Sequence, residues 1–339
     1  MALGITLAGA ACEHPAPPDY QAPEVPPPPT DVLPARLTFS LGDDRNPSVA
    51  NGVISYSRFP AETAERDRCI ALLPWAGGTI MATSCPPPSG GTADSVATWV
   101  EPVRSPDGQR IAYVHQKSPE LNVRTSLREL RVAPADDPEA VEFRWNAFMT
   151  LPDGRLVDAV MKPSWRDANT IRLLVGVDHI PKVKGGGAAR FTDTTVIAQA
   201  LVDVDLATGA AVVVPGADSA VAYARAPDGG TWIVTMSHPA VLLHRAPGAS
   251  LWDSVGSFSA GVLDLAVLDG LAVAVHLDSG TVETLDPATG ALRRERPFGL
   301  EPWILRLAPV PGTGRLVAEV EMPLDQFGGR ANLWLLDLP

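Results

Sequence analysis

Short apolar runs separated by turn residues dominate this chain, and no long stretch repeats at helical period. Ile111-Ala112-Tyr113-Val114 follows the turn Ser105-Pro106-Asp107-Gly108. Trp232-Ile233-Val234 follows the turn Ala226-Pro227-Asp228-Gly229. A tight turn that feeds a β-branched and aromatic run predicts a hairpin. Weaker copies of the turn stand at Asn51-Gly52, Asp167-Ala168-Asn169, Asp269-Gly270 and Gly312-Thr313-Gly314. The copies recur at intervals of roughly 40 to 60 residues, the period of solenoids and propellers.

The spacing divides the chain into six units, about 46–90, 94–142, 143–217, 218–259, 260–298 and 299–339. Each fits four antiparallel strands, with the repeated turn between the first and second. One such sheet would expose both apolar faces, so neighbouring sheets must stack, and closing the stack into a ring removes the exposed edges. The last unit lacks a strand, which the alternating segment Leu33–Leu41 is expected to supply. The prediction is therefore an all-β, six-bladed β-propeller of four-stranded antiparallel blades, its N-terminal strand completing the last blade. A second turn, Leu151-Pro152-Asp153-Gly154, leaves seven blades as the alternative.

The phrase Ser105 to Val114 resembles the repeat of TolB-like six-bladed propellers. So do the strand ends Asp205-Leu206-Ala207-Thr208-Gly209 and Asp286-Pro287-Ala288-Thr289-Gly290. Similar repeats occur in the propellers of prolyl oligopeptidases. The resemblance covers about residues 40–339. It implies a bacterial envelope protein and is nearly uninformative about activity.

Residues 1–12 read MALGITLAGAAC, a small apolar run that ends at Cys12. This resembles a bacterial lipoprotein signal, with Cys12 as the lipid attachment point. A proline-rich segment, 13–34, then predicts a semi-rigid polyproline tether, and the propeller domain is expected over 35–339. The expected location is the periplasmic side of the cell envelope, on a lipid-anchored membrane. Cys69 and Cys85 flank a hairpin turning at Gly77, which sets them opposite each other and predicts a disulfide; two buried thiols are the alternative.

With 34 proline and 29 glycine the chain is rich in turns. Its formal charge of −12 argues against a nucleic-acid partner, which needs a basic stripe. No Gly-x-Ser-x-Gly elbow is present, and no catalytic domain of the prolyl oligopeptidase kind is expected after Pro339. No Cys or His companion stands at ligand spacing from the cysteines; His115, His179, His238 and His276 fall on one predicted face but on different blades, which keeps them apart, and neither metal nor cofactor is expected. The leading expectation is a non-catalytic, envelope-anchored scaffold for other envelope or membrane proteins, acting as an accessory subunit of a membrane complex. Its candidate partner-binding loops carry Lys117, Arg124, Lys182, Lys184, Arg190, Phe327 and Arg330. The alternative is an enzyme or a sugar- or peptide-binding propeller that uses its central channel. Glu101, Asp264 and Arg306, on predicted innermost strands, are the candidate channel-lining groups.

Overall fold

In a computed structural model, the structure describes residues 33–39, 42–59, 68–87, 95–119, 127–146, 149–178, 198–268, 270–276, 280–287, 289–298, 302–321 and 331–338. Six four-stranded antiparallel sheets form the blades of a β-propeller, and no helix occurs among the described residues. A two-residue strand, β1 (Ala35–Arg36), comes first. Blade 1 comprises β2 (Asp43–Ala50), β3 (Val53–Phe59), β4 (Cys69–Pro74) and β5 (Ala82–Ser84). Blade 2 comprises β6 (Ser95–Arg104), β7 (Arg110–Pro119), β8 (Leu127–Pro134) and β9 (Phe143–Asn146). Blade 3 holds β10 (Leu156–Asp167), β11 (Thr170–Asp178), β12 (Ala198–Asp205) and β13 (Ala211–Val213). Blade 4 holds β14 (Ala220–Arg225), β15 (Thr231–Thr235), β16 (Ala240–Arg245) and β17 (Asp253–Phe258). Blade 5 holds β18 (Val262–Leu268), β19 (Leu271–His276), β20 (Val282–Leu285) and β21 (Leu292–Glu295). Blade 6 is built from β22 (Trp303–Val310), β23 (Arg315–Glu321), β24 (Ala331–Asp337) and, on its outer edge, β1.

The ring closes where the sequence pattern places the closure. Ala35 pairs with Leu335 and Arg36 with Trp334, and the Leu37 N–H donates to the Leu333 carbonyl at 2.8 Å. The paired segment is shorter than Leu33–Leu41. Beyond Arg36 the Thr38 hydroxyl accepts the Leu333 N–H at 2.9 Å, so a side chain continues the contact. Ala35 and Leu37 are buried against Leu333, Leu335 and Ala308.

Two boundaries differ from the expected units. Phe143–Asn146, expected to open the third unit, is the outer strand of blade 2 and pairs with Glu129–Val132 of β8. The Leu151–Gly154 turn starts no seventh blade. It is a small hairpin held by the Thr150–Leu156 bridge and the Leu151 N–H to Arg155 carbonyl bond, leading directly into β10. Its Asp-Gly chemistry makes a turn wherever it occurs, and only the pairing of the flanking strands decides whether a blade begins there.

The repeated turn has a plain mechanism. Asp107 Oδ1 accepts from the Ser105 hydroxyl and from the Gln109 N–H at 3.0 Å, while Gly108 takes φ +74°. Asp228 accepts the Gly230 N–H at 2.8 Å, and Gly229 takes φ +90°. The carboxylate closes the turn and the glycine supplies the left-handed residue. Asp205 does the same at a strand end: its Oδ1 accepts from the Thr208 N–H and hydroxyl, both at 2.8 Å. Apolar faces of adjacent blades then pack on one another. One cluster joins Val114, Leu130 and Val132 of blade 2 to Val160, Ile171 and Val202 of blade 3.

Candidate functional site in the central channel

The first strand of every blade carries a β-bulge. Each has an irregularity near its middle or start, between Arg45 and Ser48, Val100 and Val103, Met161 and Ser164, Ala220 and Ala222, Val262 and Asp264, and Ile304 and Arg306, and β10 has two more, between Val157 and Ala159 and between Trp165 and Asp167. A bulge inserts an unpaired residue and re-aims the side chains beside it. In blades 1 to 3 the bulge is a residue–proline pair: Asn46-Pro47, Glu101-Pro102 and Lys162-Pro163. Proline donates nothing to the ladder, so a bulge is where a strand tolerates it. The residue before each proline has left-handed φ, 54° at Asn46, 53° at Glu101 and 49° at Lys162. Asparagine adopts that conformation readily; for glutamate and lysine it is strain that the surroundings must hold.

The N–H groups freed by these bulges are taken up by neighbouring blades. The Asn46 N–H donates to Glu319 Oε2 of blade 6 at 2.8 Å. The Glu101 N–H donates to the Ser57 hydroxyl of blade 1 at 3.1 Å, and the Lys162 N–H donates to Glu101 Oε2 of blade 2. Past the bulge of blade 6, the Leu307 N–H, in the regular part of β22, likewise donates to Asp264 Oδ2 of blade 5 at 2.8 Å. Blade 4 completes the belt from its own side, with the Tyr223 hydroxyl against the Lys162 carbonyl and 2.8 Å from the Arg172 carbonyl.

Four charged side chains meet inside this belt. Lys162 Nζ donates to Asp264 Oδ1 at 2.8 Å and to the Leu263 carbonyl at 2.7 Å. Arg306 Nη2 donates to Glu101 Oε1 at 3.1 Å, and Arg306 Nη1 stands 3.6 Å from Asp264 Oδ1. Blades 2, 3, 5 and 6 thus contribute one charged group each. Beside them Arg45 pairs with Glu319 and Glu321, both at 3.2 Å, and links blade 1 to blade 6. Burial, then the nearby Arg306 guanidinium, pulls the Lys162 ammonium below its ordinary range, against the opposing pull of Asp264 and Glu101. Burial also works against the charge on Arg306, but Asp264 and Glu101 outweigh it and raise its pKa. Burial raises the Glu319 carboxyl despite its bond from the Asn46 N–H.

Above this floor lies a cavity of about 690 Å³, in the size range of small-molecule sites. Its walls are Pro47, Pro102, Pro163, Trp165, Leu265 and Leu307, and its rim carries Asn51, Pro106 and Pro311 from the turns after the innermost strands. The wall is cross-tied. The Ser48 hydroxyl donates to the Pro102 carbonyl at 2.7 Å, Trp165 Nε1 to the Val103 carbonyl at 3.0 Å, and Arg225 Nη1 to the Trp165 carbonyl at 2.9 Å.

The structure brings Glu101, Asp264 and Arg306 together and adds Lys162, which the sequence pattern did not single out. A signal for it exists. Lys162-Pro163 precedes Asn169 by the same seven-residue step that separates Glu101-Pro102 from Gly108. The second Asp-Gly turn at Asp153 obscured that register. Cys69 and Cys85 are joined by a disulfide across the β4–β5 hairpin. Lys117 lies in β7, where it pairs with Ala97 and Leu127. Arg124, Lys182, Lys184, Arg190, Phe327, Arg330 and Cys12 lie outside the described residues, as does the segment 13–32. Asp203 of β12 is held by Arg172 at 2.7 Å and Arg166 at 2.8 Å.

The sequence matches no protein-family model and no curated protein sequence. The fold has many likenesses among solved structures. A prolyl endopeptidase superposes with TM-score 0.51 at 14% identity, covering 88% of this chain. The chain spans 41% of that enzyme's length. The WD40 repeats of RRP9 superpose with TM-score 0.52 at 13% identity, covering 90% of this chain and 99% of that one. A luciferin-regenerating enzyme gives TM-score 0.52 at 8% identity, covering 90% of this chain and 93% of its own. At these identities the likeness is one of fold: the chain has a β-propeller architecture shared by enzymes and scaffolds.

Proposed function

We propose that this protein is a small-ligand-binding propeller whose site is the central channel. One observation carries the reading: four of the six bulged innermost strands place Glu101, Lys162, Asp264 and Arg306 at the base of a largely apolar-walled cavity. Convergent charged groups in a preformed, largely apolar cavity are the usual form of a ligand site. Strained backbone at Glu101 and Lys162 supports the same reading, because such strain collects where side chains must be aimed. The proposal involves binding and no chemistry, since both carboxylates are already held by cations and backbone N–H groups. Ala224→Trp, which fills the cavity from β14, tests it. In a ligand-detected NMR screen of small acids, amines and sugars, compounds that bind the native protein should lose binding to the variant at a temperature where the variant is shown to be folded. An absence of hits, or hits indifferent to Ala224→Trp, rejects the channel as the site.

A TolB-like, envelope-anchored setting is part of the proposal. The Cys69–Cys85 bond supports an oxidising compartment, and the Cys12 signal supports a lipid anchor there. In that setting a docking role for other envelope proteins is compatible with a ligand-binding channel. Cys12→Ala should move the protein from the membrane to the soluble fraction; unchanged membrane recovery argues against the anchor. A pull-down from solubilised membranes that recovers only the free protein argues against docking.

A further inference from the structure

The donors and acceptors already engaged in the channel floor decide which ligand the channel takes. Asp264 accepts from Lys162 Nζ through Oδ1 and from the Leu307 N–H through Oδ2. Glu101 accepts from Arg306 through Oε1 and from the Lys162 N–H through Oε2. Every carboxylate oxygen of the pair therefore has a partner. The cations differ. A guanidinium carries five N–H donors and an ammonium three. Among the described residues Arg306 makes one hydrogen bond, to Glu101; its contact with Asp264, at 3.6 Å, is an ion pair longer than a hydrogen bond. Its side chain is 26% exposed and lines the cavity, as does Lys162. The floor thus presents charged donors to the cavity and no unused carboxylate oxygen.

The wall adds to the imbalance. The charged groups that line the cavity are Arg104, Lys162, Arg225 and Arg306 against Glu101 and Asp264, a cationic excess in a protein of formal charge −12. Arg104 and Arg225 are tied to the carbonyls of Gly108 and Trp165, which fixes their charge near the rim. The remaining lining is mostly proline, leucine, valine, alanine and tryptophan, with Asn46, Ser48, Asn51, Ser164 and Tyr223 as its uncharged polar groups. A charge-balanced base whose cations hold the unused donors, a largely apolar wall and a cationic rim favour an anion by position as well as by contact.

Resting on the proposed channel site, we propose that the channel binds a small organic carboxylate, its anion on Arg306 and Lys162 and its apolar body against the proline-lined wall. Three probes with one apolar body test this by equilibrium dialysis: 4-phenylbutyrate, 4-phenylbutanamide and 4-phenylbutylamine. The acid is expected to bind at least tenfold more tightly than the amide, with the amine weakest. Arg306→Gln is expected to lower the affinity for the acid at least tenfold while leaving that for the amide unchanged, and Arg306→Lys to restore part of it. The probe series on the native protein decides the question even if Arg306→Gln fails to fold. Amide or amine binding as tight as the acid, and abolished by Ala224→Trp, overturns the carboxylate assignment and leaves the channel site standing. No binding of any probe at millimolar concentration, or binding that Ala224→Trp does not disturb, overturns both.

Discussion

Asp44 shows how one residue sets a pH dependence. Its side chain is fully buried in β2, and burial pushes its carboxyl up to about 6 from 3.8, against the pull of Arg58. Between those two values the folded protein holds a proton that the unfolded chain has released. Stability from this group is therefore full below pH 3.8, falls as pH rises to 6, and stays low above it. Asp44→Asn removes the ionisation. It is expected to stabilise the protein by up to about 3 kcal/mol at pH 7 and to leave it unchanged near pH 3.5, measured by urea unfolding at both values. A gain equal at both pH values would assign the effect to packing. The Lys162–Asp264 pair makes the opposite case. Asp264→Ala leaves the Leu307 N–H without its acceptor and the Lys162 ammonium without its counter-charge, with only the Leu263 carbonyl to accept from it, and should cost about 3–5 kcal/mol. Lys162→Met in the same background should then cost less than it does alone, the non-additivity of a direct contact.

At the scale of elements, two devices work together. Asp-Gly and Asp-x-x-Thr-Gly turns fix where strands begin and end, through bonds within a few residues. Bulges then fix where the innermost strands aim their side chains, through bonds from one blade to the next. The β4–β5 hairpin has a third device. Its disulfide closes a sequence separation of 16 residues, and the short outer strand β5 is mostly exposed. In the chain-entropy account a loop of that length contributes roughly 3 kcal/mol. The double variant Cys69→Ala/Cys85→Ala should lose about 2–4 kcal/mol in denaturant unfolding. The native protein under strong reductant should lose the same amount, and no loss in either would make the bond dispensable.

The whole molecule depends on closure. β1 is only two residues long, yet with Leu37 and Thr38 it ties the start of the ring to β24. Leu37 is 4% exposed, so Leu37→Asp places an unpaired carboxylate in the seam. The melting temperature should fall by several degrees, roughly 2–4 °C for each kcal/mol lost. Hydrogen exchange should rise first in β24 and β2, which flank the seam. A uniform rise over all six blades would mean that closure is not a separable event.

The repeat of turn and apolar run was legible from sequence because its causes are local. Asp107, Gly108, Asp205 and Thr208 act on backbone within a few residues of themselves. Six blades, and an N-terminal strand finishing the last, emerge from counting those signals and noticing that the final unit is one strand short. The end of blade 2 was not legible, because nothing in Phe143–Asn146 itself says whether it pairs backward with β8 or forward. Glu101, Asp264 and Arg306 stood out as charges on apolar strands, but their meeting did not. Glu101 and Arg306 are 205 residues apart, and Lys162 and Asp264 are 102 apart. The closed ring brings them together, and bulges anchored by neighbouring blades give them their aim. Short-range chemistry thus determined the strands and their number, whereas the channel and its charge balance arose only from long-range closure.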